Sequence, residues 1–313
     1  MAMNRDCEAC HQEITREWRE SFHARSYVDP AFQRALRKEP RPFCRACHAP
    51  EADPLVPAIG WAAESGVACV TCHVLDDQVV SGPPRKNPGA APHLVKRDSR
   101  FVSEEACARC HEFSFPDGHA RTRPELMQST VTEHQRSQAA ERGCASCHMP
   151  HTGGNGGHRS HRFLGGHDPD LLRRSLAVSA QRPSGTTLRL TLVPTKVGHS
   201  FPTGDLFRRL MIHVTSVTAG GEEQTVRLRY LTRHLATEQQ LVGKRVLVTR
   251  LDDRLHGRTT LDLDIAERYS KAPLRWRIVY QRVIFPDSAI VGAESIDGAT
   301  LDGEIVLDSG VIP

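Results

Sequence analysis

Residues 7–26 read CEACHQEITREWRESFHARS, and the first five letters decide what this chain can fold around. Two cysteines separated by two residues are followed at once by histidine. The arrangement recurs four more times, giving Cys7, Cys10, His11; Cys44, Cys47, His48; Cys69, Cys72, His73; Cys107, Cys110, His111; and Cys144, Cys147, His148. No cysteine is left over. With 17 His in 313 residues, five histidines in five specified places arise by chance about once in two million trials. Two thiols three positions apart on a turn can each add to one of the two vinyl groups on a porphyrin edge, and the next residue then presents its imidazole to the iron. CxxCH is therefore read as covalent c-type haem attachment, with five haems as the cofactors. A zinc ribbon needs no histidine directly after the second cysteine and would leave one pair unmatched. A disulfide framework gives no reason for the histidines, and a thioredoxin-like CxxC would occur once, near a βαβ pattern.

The five histidines are spaced by 37, 25, 38 and 37 residues. Each haem gets a few dozen residues, too few to bury a flat porphyrin alone, so the haems are expected to pack against one another and share walls. The macrocycles would also supply apolar surface that the side chains lack, since aromatics are only 5% of the chain and hydrophobic residues 39%. Charged residues at 25% argue against disorder, and no apolar run is long enough for a transmembrane segment. A formal charge of +4, from 41 basic and 37 acidic residues, leaves no polyanion footprint, so nucleic acid is not an expected partner. Covalent haem attachment implies a periplasmic or extracellular location. The secretion signal this requires is absent from Met1 to Asp6 (MAMNRD), so the start is expected to be that of a processed chain.

Twelve histidines remain for the second axial position, whereas only Met127, Met149 and Met211 lie beyond the first three residues. Bis-histidine ligation is the expectation, and it implies low potentials as a group. His23 lies on the edge of a helical face marked by Ile14, Trp18 and Phe22. His93 follows a Gly- and Pro-rich loop. His161 and His167 frame SHRFLGGHDP, just before a helix that Asp168 can cap with Pro169 at its first position. His199 stands in VGHSFPTGD, between two strands. These five are the candidate distal ligands. His119, His134, His151 and His158 come next, with propionate contact or a surface position as their alternative. His213, His234 and His256 lie in or beside strands and read as structural.

After Gln181 the pattern changes. TTLRLTL, RLMIHV, TVRLRY, KRVLVTR, TTLDLDI and LRWRIVY alternate as strands, with Arg227, Arg229, Arg275 and Arg277 in outward positions. The expected fold class is α+β. A mostly helical or irregular pentahaem domain over 1–180 is followed by an antiparallel β-sandwich over 181–313, whose His199 loop could reach back to a haem.

CEACHQEITREWRESFHARS, GCASCHMP, SHRFLGGHDPDLLRRSL and above all GHSFPTGDLFRRLMIHV resemble the multihaem c-type cytochromes related to cytochrome c-554, a group that includes tetrahaem carriers and subunits of extracellular cytochrome filaments. The resemblance runs over most of residues 7–217. It implies distal ligation by His23 and His199, and less directly by His161 and His167. In that family the helix before CxxCHMP often carries Trp at the place of His134.

Haems ligated on both faces offer no site for substrate, so the leading expectation is an electron carrier with no catalytic residues, working with redox proteins or other cytochromes. One alternative is an oxidoreductase acting on a small nitrogen compound or peroxide at a five-coordinate haem. All five motifs end in His and none in Lys, which weighs against it. Another is a homopolymer, a filament subunit whose histidine ligates a haem of the next copy.

Overall fold

Among the described residues of a computed structural model of the chain, helices shorter than ten residues fill the first part and nine longer strands the last. Residues 2–83, 92–114, 125–153, 157–217, 221–239, 245–284 and 300–313 are described. The chain divides into two compact units. One comprises Met1–Cys110 with Glu141–Gly165, the other His111–Ala140 with Gly166–Pro313. Within the second unit, Glu133 pairs with Arg254 at 2.8 Å and Glu125 with Arg233 at 3.3 Å.

The first unit has a small side-chain core of Tyr27, Phe32, Leu36 and Ala49. Its CxxCH cysteines lie in or beside short helical turns: Ala2–Cys10, Pro42–His48, Cys69–His73, Glu105–His111 (which ends past this unit's boundary) and Ala145–His148, preceded by Cys144. Helical spacing matters, because positions i, i+3 and i+4 share one face, so both sulfurs and the imidazole project to the same side. The expected continuous helix through His23 is broken. Gln12–Glu20 ends at Ser21, whose hydroxyl donates to the Trp18 carbonyl at 2.6 Å and accepts from the Ala24 amide, starting the turn Phe22–Arg25.

In the second unit, two antiparallel sheets enclose one core. The first has the order Thr259–Asp264, Thr187–Pro194, Leu176–Ser184. The second runs Thr300–Ile312, Leu274–Ile284, Arg208–Val217, Glu223–Leu231. Leu188, Leu190 and Leu192 of the first meet Leu210, Ile212, Val214, Leu274 and Ile278 of the second, all 0% exposed. This is the sandwich that the alternation predicts. One strand faces the opposite way. Arg229 pairs with Ile212 and Arg227 with Val214, which places these arginines on the inner face, while Leu228 pairs with His213 and is 44% exposed. Glu223–Leu231 is an edge strand with a bulge opposite Val214/Thr215, so its inner face outruns the core, and long arginine stems can lie over the rim. The bulge returns Val226 to the core. Strands Arg233–Gln239 and Arg245–Asp252 form a separate antiparallel pair. Asp168 caps Pro169–Arg174 as expected, accepting from the Leu171 amide at 2.6 Å.

Candidate haem-binding residues

All ten cysteines are free of disulfides. Thiols of different motifs approach one another within the first unit: Cys47 and Cys110 lie within hydrogen-bonding reach, as do Cys107 and Cys144. Burial pushes the Cys69 and Cys72 thiols up to about 11, so both are protonated at neutral pH.

Three pairs of imidazole rings lie between 6.2 and 6.5 Å apart, one of them His158 and His161 at 6.5 Å, where His158 Nε2 is engaged by Glu17. The rings of His11 and His93 are 6.4 Å apart between centres, and those of His73 and His161 are 6.2 Å apart. A metal–imidazole bond of about 2.0 Å on each side, plus the distance from ring nitrogen to ring centre, gives roughly 6 Å between two imidazoles on opposite sides of one iron. The pairs His11–His93 and His73–His161 both have that span. They differ in surroundings, since His93 is exposed whereas burial pushes His161 down to about 4 and also lowers His73. Neutral imidazole is the form with a lone pair to give a metal.

The second ring nitrogen is placed in a repeated way. Nδ1 of His48 donates to the Ser26 carbonyl at 2.8 Å, that of His73 to Val80 at 2.9 Å and that of His148 to Leu164 at 2.6 Å. His161 donates to Arg159 at 2.8 Å and His199 to Ser200 at 2.9 Å. A carbonyl on Nδ1 fixes the tautomer that leaves Nε2 as the electron-pair donor. His111 Nδ1 lies 3.3 Å from the Gln128 amide group. Flat aromatic rings back two of these histidines, Phe32 stacking on His48 at 3.7 Å and Phe101 on His73 at 5.0 Å. His23 meets the edge of Phe163 at 4.2 Å, and His167 lies half-buried in the turn before Asp168.

Other histidines have Nε2 already engaged. His158 Nε2 donates to Glu17 at 3.0 Å, His234 Nε2 to Asp253 at 3.0 Å, and His213 Nε2 contacts Thr225 at 2.9 Å. His256 contacts Ser200 through Nδ1 at 2.9 Å, and His151 is exposed. His119 lies outside the described residues.

Sequence reasoning missed the carboxylates that hold the histidine-bearing loops. Glu17 is buried and accepts from the His161 amide at 2.8 Å as well as from His158. Burial opposes its ionisation, but these two donors hold it below the usual carboxylate range. Glu133 accepts from Thr203 at 2.6 Å and from the Ser200 amide at 3.3 Å, on either side of Pro202 in GHSFPTG.

Gly66 fixes the placement of His23. Its φ is +52°, and a Cβ there would stand 2.4 Å from the His23 carbonyl oxygen and 2.5 Å from Ser26 Oγ. That carbonyl accepts from the Val67 amide at 2.8 Å. Gly66→Ala combines a disfavoured backbone with a backbone collision, and is expected to cost about 2 kcal/mol. Thermal unfolding of the haem-loaded variant checks this, and an unchanged midpoint refutes it.

The fold resembles that of a solved multihaem cytochrome, and part of the sequence matches a known cytochrome family. Residues 6–74 match the family described as Cytochrome c554 and c-prime. The solved structures that resemble the chain include the penta-heme cytochrome c552 from Thermochromatium tepidum, at 22% identity and a TM-score of 0.70, over 98% of this chain and 97% of that one. No curated protein matches it in sequence. Among the described residues, no helix is long and apolar enough to cross a membrane.

Proposed function

We propose that this chain is a periplasmic or extracellular electron carrier that holds five c-type haems through its CxxCH motifs, mainly between pairs of histidines. The observation that carries the reading is the spacing of His11 from His93 and of His73 from His161, each matching two axial ligands of one iron. Bound haem iron supplies reversible one-electron transfer. The chain's own part is to tether, orient and shield. Cys7, Cys10, Cys44, Cys47, Cys69, Cys72, Cys107, Cys110, Cys144 and Cys147 are the anchors. His11, His48, His73, His111 and His148 are the proximal ligands, and His23, His93, His161, His167 and His199 distal ones. The carbonyls of Ser26, Val80, Leu164, Arg159 and Ser200 hold the imidazoles in the ligating tautomer. Filling both axial positions favours transfer without bond making at the metal, and therefore conduction over catalysis. The close approach of Cys47 to Cys110 and of Cys107 to Cys144 supports haem edges lying near one another.

Intact mass of the secreted protein is expected to exceed that of the bare chain by five haems, and its ferric spectrum to be predominantly low-spin. A chain without haem refutes the haem reading altogether. A large five-coordinate fraction, together with turnover of nitrite, hydroxylamine or peroxide, refutes the carrier reading.

A further inference from the structure

We propose that His134 is an axial haem ligand, through Nε2, in place of one of His23, His167 and His199. The inference rests on the haem-protein reading and deepens it. His134 is 8% exposed, on the helix Thr130–Gln135. Its Nδ1 donates to the Gly198 carbonyl at 2.8 Å, the arrangement also found at His48, His73, His148 and His161. Its Nε2 is buried and has no hydrogen-bond partner. The Nδ1 bond makes Nε2 the deprotonated nitrogen, so a lone pair is buried with nothing to receive it. Buried polar atoms in folded proteins are satisfied, and an exception calls for a group not yet counted. An iron centre meets that need. His158 and His234 differ, each having spent Nε2 on a carboxylate.

The ring is also held in place. A Cβ on Gly198 would come within 2.8 Å of Ala139 Cβ and 3.4 Å of His134 Nδ1, so only glycine lets the carbonyl approach this closely. On the other side of the chain, Glu133 secures the same loop through Thr203 and the Ser200 amide. Such anchoring is costly for a histidine that only fills space and is expected of one that must aim an electron pair. His73 and His161 form one pair and His11 and His93 another. That leaves His48, His111 and His148 to be matched with four candidates, His23, His134, His167 and His199. His134 is one of the three that ligate.

The test is His134→Asn, since the Asn amide can keep the bond to the Gly198 carbonyl while Nε2 is lost. Paramagnetic resonance and visible spectra of the haem-loaded ferric protein should show one of five haems turned high-spin, reverting to low-spin when imidazole is added. An unchanged low-spin spectrum overturns the proposal and leaves His134 a positioning residue for the loop. Should the Asn variant not accumulate, His134→Gly produced with imidazole present gives the second measurement. One high-spin haem on removal of imidazole supports the assignment, and a fully low-spin spectrum refutes it. Haem content of the unmodified protein keeps the two readings apart, because a chain without haem defeats the function proposed above, and five haems with an insensitive spectrum defeat only this inference.

Discussion

Holoprotein carrying His161→Ala is expected to show about one-fifth of its ferric haem as high-spin and to bind carbon monoxide at that fraction once reduced. The His161 ring lies 6.2 Å from that of His73 and is half-buried, which limits replacement of its nitrogen by solvent. Its backbone stays anchored, because the contact to Glu17 is made by the amide and survives the substitution. The change should therefore be confined to one haem, with the other four keeping their spectra. His158→Ala is the matching control. Its ring lies 6.5 Å from that of His161, but its Nε2 is engaged by Glu17, so the spin state should not change. His93→Ala is expected to differ again, since exposure at that position lets water or added anions fill the gap. Low-spin signals unaltered in His161→Ala, or altered in His158→Ala, would overturn the pairing.

Loss of Glu133 should have the largest effect on stability. This carboxylate lies against Arg254 at 2.8 Å and accepts from Ser129 at 2.7 Å and Thr203 at 2.6 Å. Glu133→Ala leaves buried Arg254 and the half-buried hydroxyls of Ser129 and Thr203 poorly matched, and Arg254 keeps Asp252 as its remaining anionic partner at 2.7 Å. A cost of about 3 kcal/mol follows from the usual penalty for breaking a buried ion pair. The same residue sets an acid limit. Burial works against its charge, yet Arg254 and the hydroxyls hold its folded value below the ordinary one. The unfolded chain consequently binds the proton more readily. Stability from this group is complete above about pH 4.3, the unperturbed glutamate value, and is lost as pH falls through the depressed folded value. Asp205, half-buried beside Arg208, adds to the trend in the same direction. Denaturant titrations at neutral and acidic pH should show a steep loss in the unmodified protein and a shallower one in Glu133→Gln. Equal slopes would remove Glu133 from the account.

What could be read from sequence was whatever chemistry or periodicity ties to adjacent positions. CxxCH is legible because thioether spacing and iron ligation act within one helical turn. Leu188, Leu190 and Leu192 are legible because both faces of their strand have uniform surroundings, as are Leu274, Trp276, Ile278 and Tyr280. The strand TVRLRY misleads because it lies at an edge, where alternation no longer tracks core against solvent, and a bulge shifts its phase. His134 and Glu133 depend on a loop more than sixty residues away, and Glu17 on His158 and His161, 141 and 144 residues away. No local pattern records such contacts.

The CxxCH turns share an orientation with an electrostatic outcome. Each of the helices Pro42–His48, Cys69–His73, Glu105–His111 and Ala145–His148 ends on its ligand histidine, and Ala2–Cys10 ends one residue before. Aligned peptide dipoles leave partial negative charge at a carboxyl terminus. At His48, His73, His111 and His148 the backbone thus presents an anionic end to the iron proposed above, which would favour its more positive oxidation state, whereas His11 is also the N-cap of Gln12–Glu20 and meets a positive end. In the proposed haem array, four such ends would weaken the hold on electrons and favour delivery over storage.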